Sequence, residues 1–352
     1  VGIEVDIRRR LGEYELDMSF SENSKRIGVL GASGSGKSMM LKSIAGIELP
    51  DSGRIVLNDR GLYDSEKHID IKPQKRNVGY LFQNYALFPT MTVVQNIAVG
   101  IRRPREEKAE RISEMISKFQ LTGLENRYPA ELSGGQQQRT ALARIMAYEP
   151  EAILLDEPFS ALDSYLKDHM QAELMEMLSD FEGTVIMVSH SRDEIYRFSD
   201  TLLIVDQGRI MNHGRTKDIF SHPETRSAAM LTGCKNFSAA DIIDAHTIFA
   251  KGWGITLKVK QEIPKDTHFI GYRAHQFEPI WGECTENCIK FNLSSRADLQ
   301  FERNFYIKPE CPEYSREAVI TWYVQRDKWE SLDKKGLPDF LRFREEDIMF
   351  LK

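Results

Sequence analysis

Cysteine is scarce in this 352-residue sequence: only Cys234, Cys284, Cys288 and Cys311 are present. Thiols this sparse fit a reduced, cytosolic setting. Cys284 and Cys288 lack the two-pair spacing of a zinc site, so small buried thiols are expected. Long apolar runs are also missing. None reaches the length that crosses a bilayer, which predicts a soluble chain that meets a membrane only by docking. Val1 to Arg10 alternates apolar and charged residues and has no apolar stretch of the secretory-signal kind. There is no basic excess. Lys and Arg number 47 against 53 Asp and Glu, a formal net charge of −6, which argues against nucleic acid as a partner. Sustained heptads are absent too, which argues against long coiled coils.

What is present reads as two domains. Ile3, Val5 and Ile7 alternate with Glu4, Asp6 and Arg8, and Leu16, Met18 and Phe20 alternate with Glu15, Asp17 and Ser19. This period of two predicts an antiparallel hairpin with one buried face. Ile27 to Leu30, Ala152 to Leu155 and Val185 to Val188 are instead short, continuous apolar runs. Such runs suit parallel strands covered on both faces, and ligands bind such sheets at the carboxyl ends of the strands. Between Pro104 and Tyr148, Ile112, Met115, Ile116 and Phe119 recur at helical spacing; a second helix is expected from about Ser133 with Ala141, Leu142 and Ile145. After about Lys235, short alternating stretches around Ile255, Ile289, Val319 and Phe340 predict a small all-β barrel or sandwich.

Two segments carry chemistry on their own. Gly31-Ala32-Ser33-Gly34-Ser35-Gly36-Lys37-Ser38 fits G-x-x-x-x-G-K-[ST] between an apolar strand and a helix-like stretch from Met39 to Ile44. Glycines there let backbone N–H groups turn toward phosphate oxygens, and the helix N-terminus adds positive potential. Lys37 is expected on the β- and γ-phosphates, with the Ser38 hydroxyl on Mg²⁺. Asp156 and Glu157 end the apolar run at 152–155. Asp156 suits a contact to Mg²⁺, and Glu157 suits a base that polarises water in line with the γ-phosphate.

The third segment is Leu132-Ser133-Gly134-Gly135-Gln136-Gln137-Gln138-Arg139. It resembles the signature of ABC-family ATPases, and the likeness spans roughly residues 1 to 230. The resemblance implies ATP as ligand, bound by residues 31 to 39, the loop and Met39 beyond it. It implies Gln83 as a Mg²⁺-contacting loop residue that senses a membrane partner. It also implies His190 as a switch near the γ-phosphate, and Ser160-Ala161-Leu162-Asp163 as a loop crossing between two subunits. In the family two copies pair head to tail. Ser133, Gly134, Gly135 and Gln136 of one would then complete the nucleotide site built on Lys37 of the other. One departure stands out: Leu11-Gly12 occupies the place where the family often stacks adenine on an aromatic ring, with Tyr14 nearby.

The implied architecture is an α/β P-loop ABC ATPase core over residues 1–234, with an antiparallel β subdomain and an inserted helical subdomain at about 88–150. A small C-terminal all-β, barrel-like domain follows at 235–352. That last segment resembles the regulatory domain of importer ATPases. Phe88 to Val93 resembles importer subunits for small anions, sugars or polyamines. Leu62 to Lys67, Lys72 to Arg76 and Thr232 to Asn236 resemble the molybdate/tungstate group. The implied function is an ATP-hydrolysing importer subunit for molybdate or tungstate, peripheral at the cytoplasmic face of the membrane. Its implied partners are a second copy of the chain, an integral membrane permease and, indirectly, a substrate-binding protein. An oxyanion on the C-terminal domain would act as a brake. A sulfate, polyamine or sugar importer is the alternative, and a soluble ABC ATPase outside transport is the alternative of another class.

Overall fold

The computed structural model describes residues 2–160, 164–310 and 319–352. Ala161, Leu162, Asp163 and Cys311 lie outside the described residues. Contacts divide the chain into two compact units, Val1–Lys217 and Asp218–Lys352.

The first unit opens with the expected hairpin, β1 (Ile3–Leu11) and β2 (Tyr14–Glu22). There follow β3 (Arg26–Gly31), α1 (Lys37–Ala45), β4 (Ser52–Leu57), β5 (Arg60–Asp64), β6 (Ile69–Asp70), α2 (Pro73–Arg76) and β7 (Val78–Leu81). The helical insertion holds α3 (Val93–Ala98), α4 (Arg105–Lys118) and α5 (Gly134–Ala147). The unit closes with β8 (Ala152–Asp156), α6 (Ser164–Met177), β9 (Thr184–Ser189), α7 (Arg192–Phe198), β10 (Thr201–Asp206) and β11 (Arg209–Arg215).

These strands form one sheet in the order β6-β5-β4-β1-β2-β11-β10-β3-β9-β8-β7. The β6-to-β2 end is antiparallel, and β10-β3-β9-β8-β7 is parallel. The two textures follow from the residues. Ile3, Val5 and Ile7 are buried while Glu4, Asp6 and Arg8 between them are exposed, and β8 and β9 are buried at every position. A strand buried on both faces needs helices over it, and α1 supplies Met40, Leu41 and Ile44 to the same core as Leu154 and Ile186. In the insertion, Met115, Ile116 and Phe119 are buried, as their spacing predicts.

The second unit has two five-stranded sheets. One runs Ile255–Lys258, Thr247–Ala250, Asn236–Asp244, Phe269–Tyr272, Met349–Leu351; the other Glu278–Ile280, Phe340–Arg342, Cys288–Asp298, Glu302–Pro309, Ile320–Gln325. Their shared core is aromatic: Phe343 stacks on Trp253 at 5.1 Å and meets Tyr272 edge-on at 4.8 Å. A short helix, Trp329–Lys335, is added to the β framework.

The cysteines correct one expectation. Cys234 is a buried thiol whose pKa burial pushes up to about 11. Cys284 and Cys288, expected to be buried thiols too, are half-buried and joined as a disulfide. The turn into the strand at Cys288 brings their Cα atoms to 6.1 Å, a proximity that spacing alone does not reveal.

Candidate active site

The site is built at the carboxyl ends of four neighbouring parallel strands. β3 leads into the Gly31–Ser38 loop, β8 ends on Asp156, β9 leads to His190, and β7 leads to Gln83. The loop closes on itself, with Ser35 N donating to the Ala32 carbonyl at 3.2 Å. Gly36 caps α1 at φ 97°, and a Cβ there would stand 2.6 Å from the Tyr14 hydroxyl. Only glycine fits both demands.

The far end of α1 is fixed as firmly. Arg76 is fully buried and donates to the carbonyls of Ser43 (2.8 Å) and Ile44 (2.9 Å), capping the last turn. The helix is thereby held with its N-terminus at the loop.

Lys37 is buried at 4% exposure. Its Nζ donates to the carbonyls of Gly31 (2.9 Å) and Ala32 (2.7 Å), so the loop holds its own lysine across its mouth. Burial pulls the ammonium pKa down, and the carboxylates of Glu157 and Asp156 act against that shift. Ser38 Oγ donates to Asp156 Oδ1 at 2.7 Å, and the buried Tyr80 hydroxyl donates to Asp156 Oδ2 at 2.7 Å. Burial, then the adjacent carboxylate, pushes the Tyr80 phenol pKa far up, so the group stays a donor.

Glu157 has φ 47°, a left-handed conformation costing about 1–2 kcal/mol for a residue with a Cβ. Its backbone is held there by N–H donation to Val188 O (3.0 Å) and by Ser160, whose N and Oγ both donate to Glu157 O (3.2 and 2.9 Å). The result points the carboxylate at His190, with Oε1 3.5 Å from Nδ1.

Ser38 and Asp156 offer only oxygen, the hard donor set that Mg²⁺ prefers, and their contacting oxygens already lie side by side. The residues therefore fit that ion. Gln83 is exposed beyond the end of β7 and is not hydrogen-bonded to Ser38 or Asp156.

The Ser133 to Gln136 segment stands apart. Ser133 caps α5 in a reciprocal box, with Gln136 N donating to its Oγ at 3.3 Å and Ser133 N donating to Gln136 Oε1 at 2.9 Å. Ser133 and Gly134 are exposed, Gly135 half-buried, and no hydrogen bond joins this helix end to the 31–38 loop. Asp163 lies outside the described residues.

At the hairpin tip Leu11 is exposed, and Tyr14 is half-buried beneath the loop. Between Tyr14, the Ala32–Ser35 backbone, Asp206 and Arg209 lies an open cleft of about 680 Å³.

Tyr80, Arg76 and Arg144 escape sequence reasoning. Arg144, on α5, donates to the carbonyls of Tyr85 (3.0 Å) and Ala86 (2.8 Å) and lies over the Phe88 ring, tying α5 to the segment after Gln83. A lone Tyr in an apolar strand and an Arg in a charged stretch carry no signal by themselves.

Comparison with known proteins agrees with this geometry. The family described as ABC transporter matches residues 15–160. A sulfate/thiosulfate import ATP-binding protein of Synechocystis is 42% identical over 57% of this chain and 56% of its own length. An Fe(3+) ions import ATP-binding protein of Haemophilus influenzae is 37% identical over 74% of this chain and 75% of its own.

The chain belongs to the ABC transporter ATP-binding family.

Among its relatives, a molybdenum import ATP-binding protein of Rhodospirillum rubrum is 35% identical over 63% of this ABC chain and 60% of its own length. The matches thus span little more than half of the Synechocystis and Rhodospirillum proteins. A solved ATP-binding cassette, described as dimeric and bound to ADP and Pi in a post-hydrolysis state, superposes with TM-score 0.51 at 26% identity. It covers 61% of this chain and 99% of that one. No helix among the described residues is long and apolar enough to cross a membrane.

Proposed function

We propose that this chain is the ATP-hydrolysing subunit of an ABC importer. One observation carries the reading: Lys37, Ser38, Asp156, Glu157 and His190 converge at the carboxyl ends of the parallel strands, while the Ser133 helix end faces solvent elsewhere. Such a site has everything for phosphate binding and lacks the signature helix on its open side.

The loop amides and α1 N-terminus receive the phosphates, and Lys37 turns from its own carbonyls to the β- and γ-oxygens. Ser38 and Asp156, with Gln83, would hold Mg²⁺, which when bound neutralises charge on those oxygens. Glu157 orients and deprotonates the attacking water, and His190 steadies the Glu157 side and the γ-phosphate. Ser133, Gly134, Gly135 and Gln136 come from a second copy of the chain, joined by its Asp163 loop. Closure of that pair moves the surface from Gln83 to Val94 against a membrane permease at the cytoplasmic face. We take 1–234 as the motor and 235–352 as a regulatory domain with an oxyanion as its ligand.

For the cargo, the relatives favour sulfate or thiosulfate over the molybdate and tungstate suggested by short stretches of sequence. Four further matches above 38% identity are sulfate/thiosulfate import proteins, and the molybdenum protein matches at 35%. The test is uptake by proteoliposomes holding this chain, its permease and its binding protein. ATP-dependent accumulation of labelled sulfate, outcompeting molybdate, is expected. Accumulation of molybdate alone would restore the first cargo, and ATP hydrolysis with no oxyanion uptake would remove the transport reading.

A further inference from the structure

We propose that Tyr80 is a positioning residue for the cation-binding carboxylate of Asp156. This rests on the ATPase reading and deepens it. Asp156 is nearly buried, at 8% exposure, and each of its oxygens is committed to one hydroxyl, Oδ1 to Ser38 and Oδ2 to Tyr80. The two hydroxyls arrive from opposite sides, one from the first turn of α1 and one from β7, which pairs directly with β8. A carboxylate gripped at both oxygens has one orientation. That orientation presents Oδ1 to Ser38, the other proposed Mg²⁺ ligand.

The tyrosine itself cannot drift. Its ring belongs to the core formed with Leu154, Met40 and Leu41, and stacks at a tilt on Phe82 with centroids 4.4 Å apart. Phe82 immediately precedes Gln83, so the same ring pair braces the strand exit that carries the third proposed ligand. A phenylalanine would fill the slot equally well. The hydroxyl is needed only for Asp156, because a buried phenol with one partner serves that partner. Outer-shell groups of this kind fix ligand geometry and are felt in metal affinity more than in fold.

The experiment compares the wild-type chain with Tyr80→Phe for nucleotide binding, titrating free Mg²⁺ and repeating the measurement in EDTA. The half-saturating Mg²⁺ concentration is expected to rise about 10-fold, with EDTA affinity for ATP within about twofold of wild type. An unchanged Mg²⁺ requirement overturns the proposal. So does an equal loss of affinity with and without Mg²⁺, which would mark a purely structural tyrosine. Should Tyr80→Phe fail to fold, Tyr80→Met, which also lacks the hydroxyl, supplies the same comparison. A wild-type chain that binds no nucleotide at all would instead overturn the ATPase reading.

Discussion

At the scale of single residues, Glu157 is the side chain on which the proposed turnover depends most. It sits one residue past the proposed metal carboxylate, on a strained turn, facing His190. Glu157→Gln keeps shape and hydrogen bonding and removes only the base. Steady-state ATPase of that variant in the assembled transporter should fall at least about 100-fold while ATP binding persists, as for loss of a general base. Normal turnover would exclude the assignment. That Lys37, Ser38, Asp156 and Glu157 meet was legible because each lies in a recognisable motif. Tyr80 and Arg76 were not. Each is defined by a partner far along the chain, Asp156 for one and the α1 carbonyls for the other. Leu11 stands exposed at the hairpin tip where an aromatic was expected, and the cleft beside Tyr14 and Arg209 became visible only in three dimensions.

At the scale of elements, periodicity distinguished the half-buried hairpin from the fully buried strands, because burial on one face or two leaves different residue patterns. Sheet order was beyond it. β3 lies between β9 and β10, and no local pattern reports such distant pairing. One junction of this sheet makes a pH prediction. Glu22, at the end of β2, accepts from the N–H groups of Asn23 and Ser24 and from Ser24 Oγ, and lies 2.9 Å from His213 Nε2 on β11. Burial alone would raise its pKa; the bonds to His213, Ser24 and Asn23 outweigh it and hold the carboxyl at about 2, below its ordinary 4.5. A depressed carboxylate stabilises the fold fully above its unfolded pKa and loses that contribution as pH falls through the folded value. Glu22→Gln should therefore lower Tm at pH 7, at roughly 2–4 °C per kcal/mol lost for a unit of this size. The gap to wild type should close between pH 4.5 and about 2. A gap constant across that window would show that the ionised carboxylate is not what holds the junction.

At the scale of the whole molecule, the signature helix end and the phosphate loop are both well formed and do not meet within one chain. Each has its local structure complete: the capping box at Ser133, the closed loop at Lys37. In the proposed pair, a second copy would bring them together without refolding either. Head-to-tail closure is proposed from family resemblance alone, since a site shared between copies leaves no periodic trace in one sequence. The same holds for cargo, where short likenesses pointed to molybdate and the matches of higher identity favour sulfate. The most direct test is sedimentation of the Glu157→Gln chain with Mg²⁺ and either ATP or ADP. With ATP the 40.5 kDa chain should sediment as a dimer, and ADP or the added change Ser133→Arg should return it to the mass seen without nucleotide. ATP bound stoichiometrically with no change in mass, or a dimer indifferent to Ser133→Arg, would contradict the composite site.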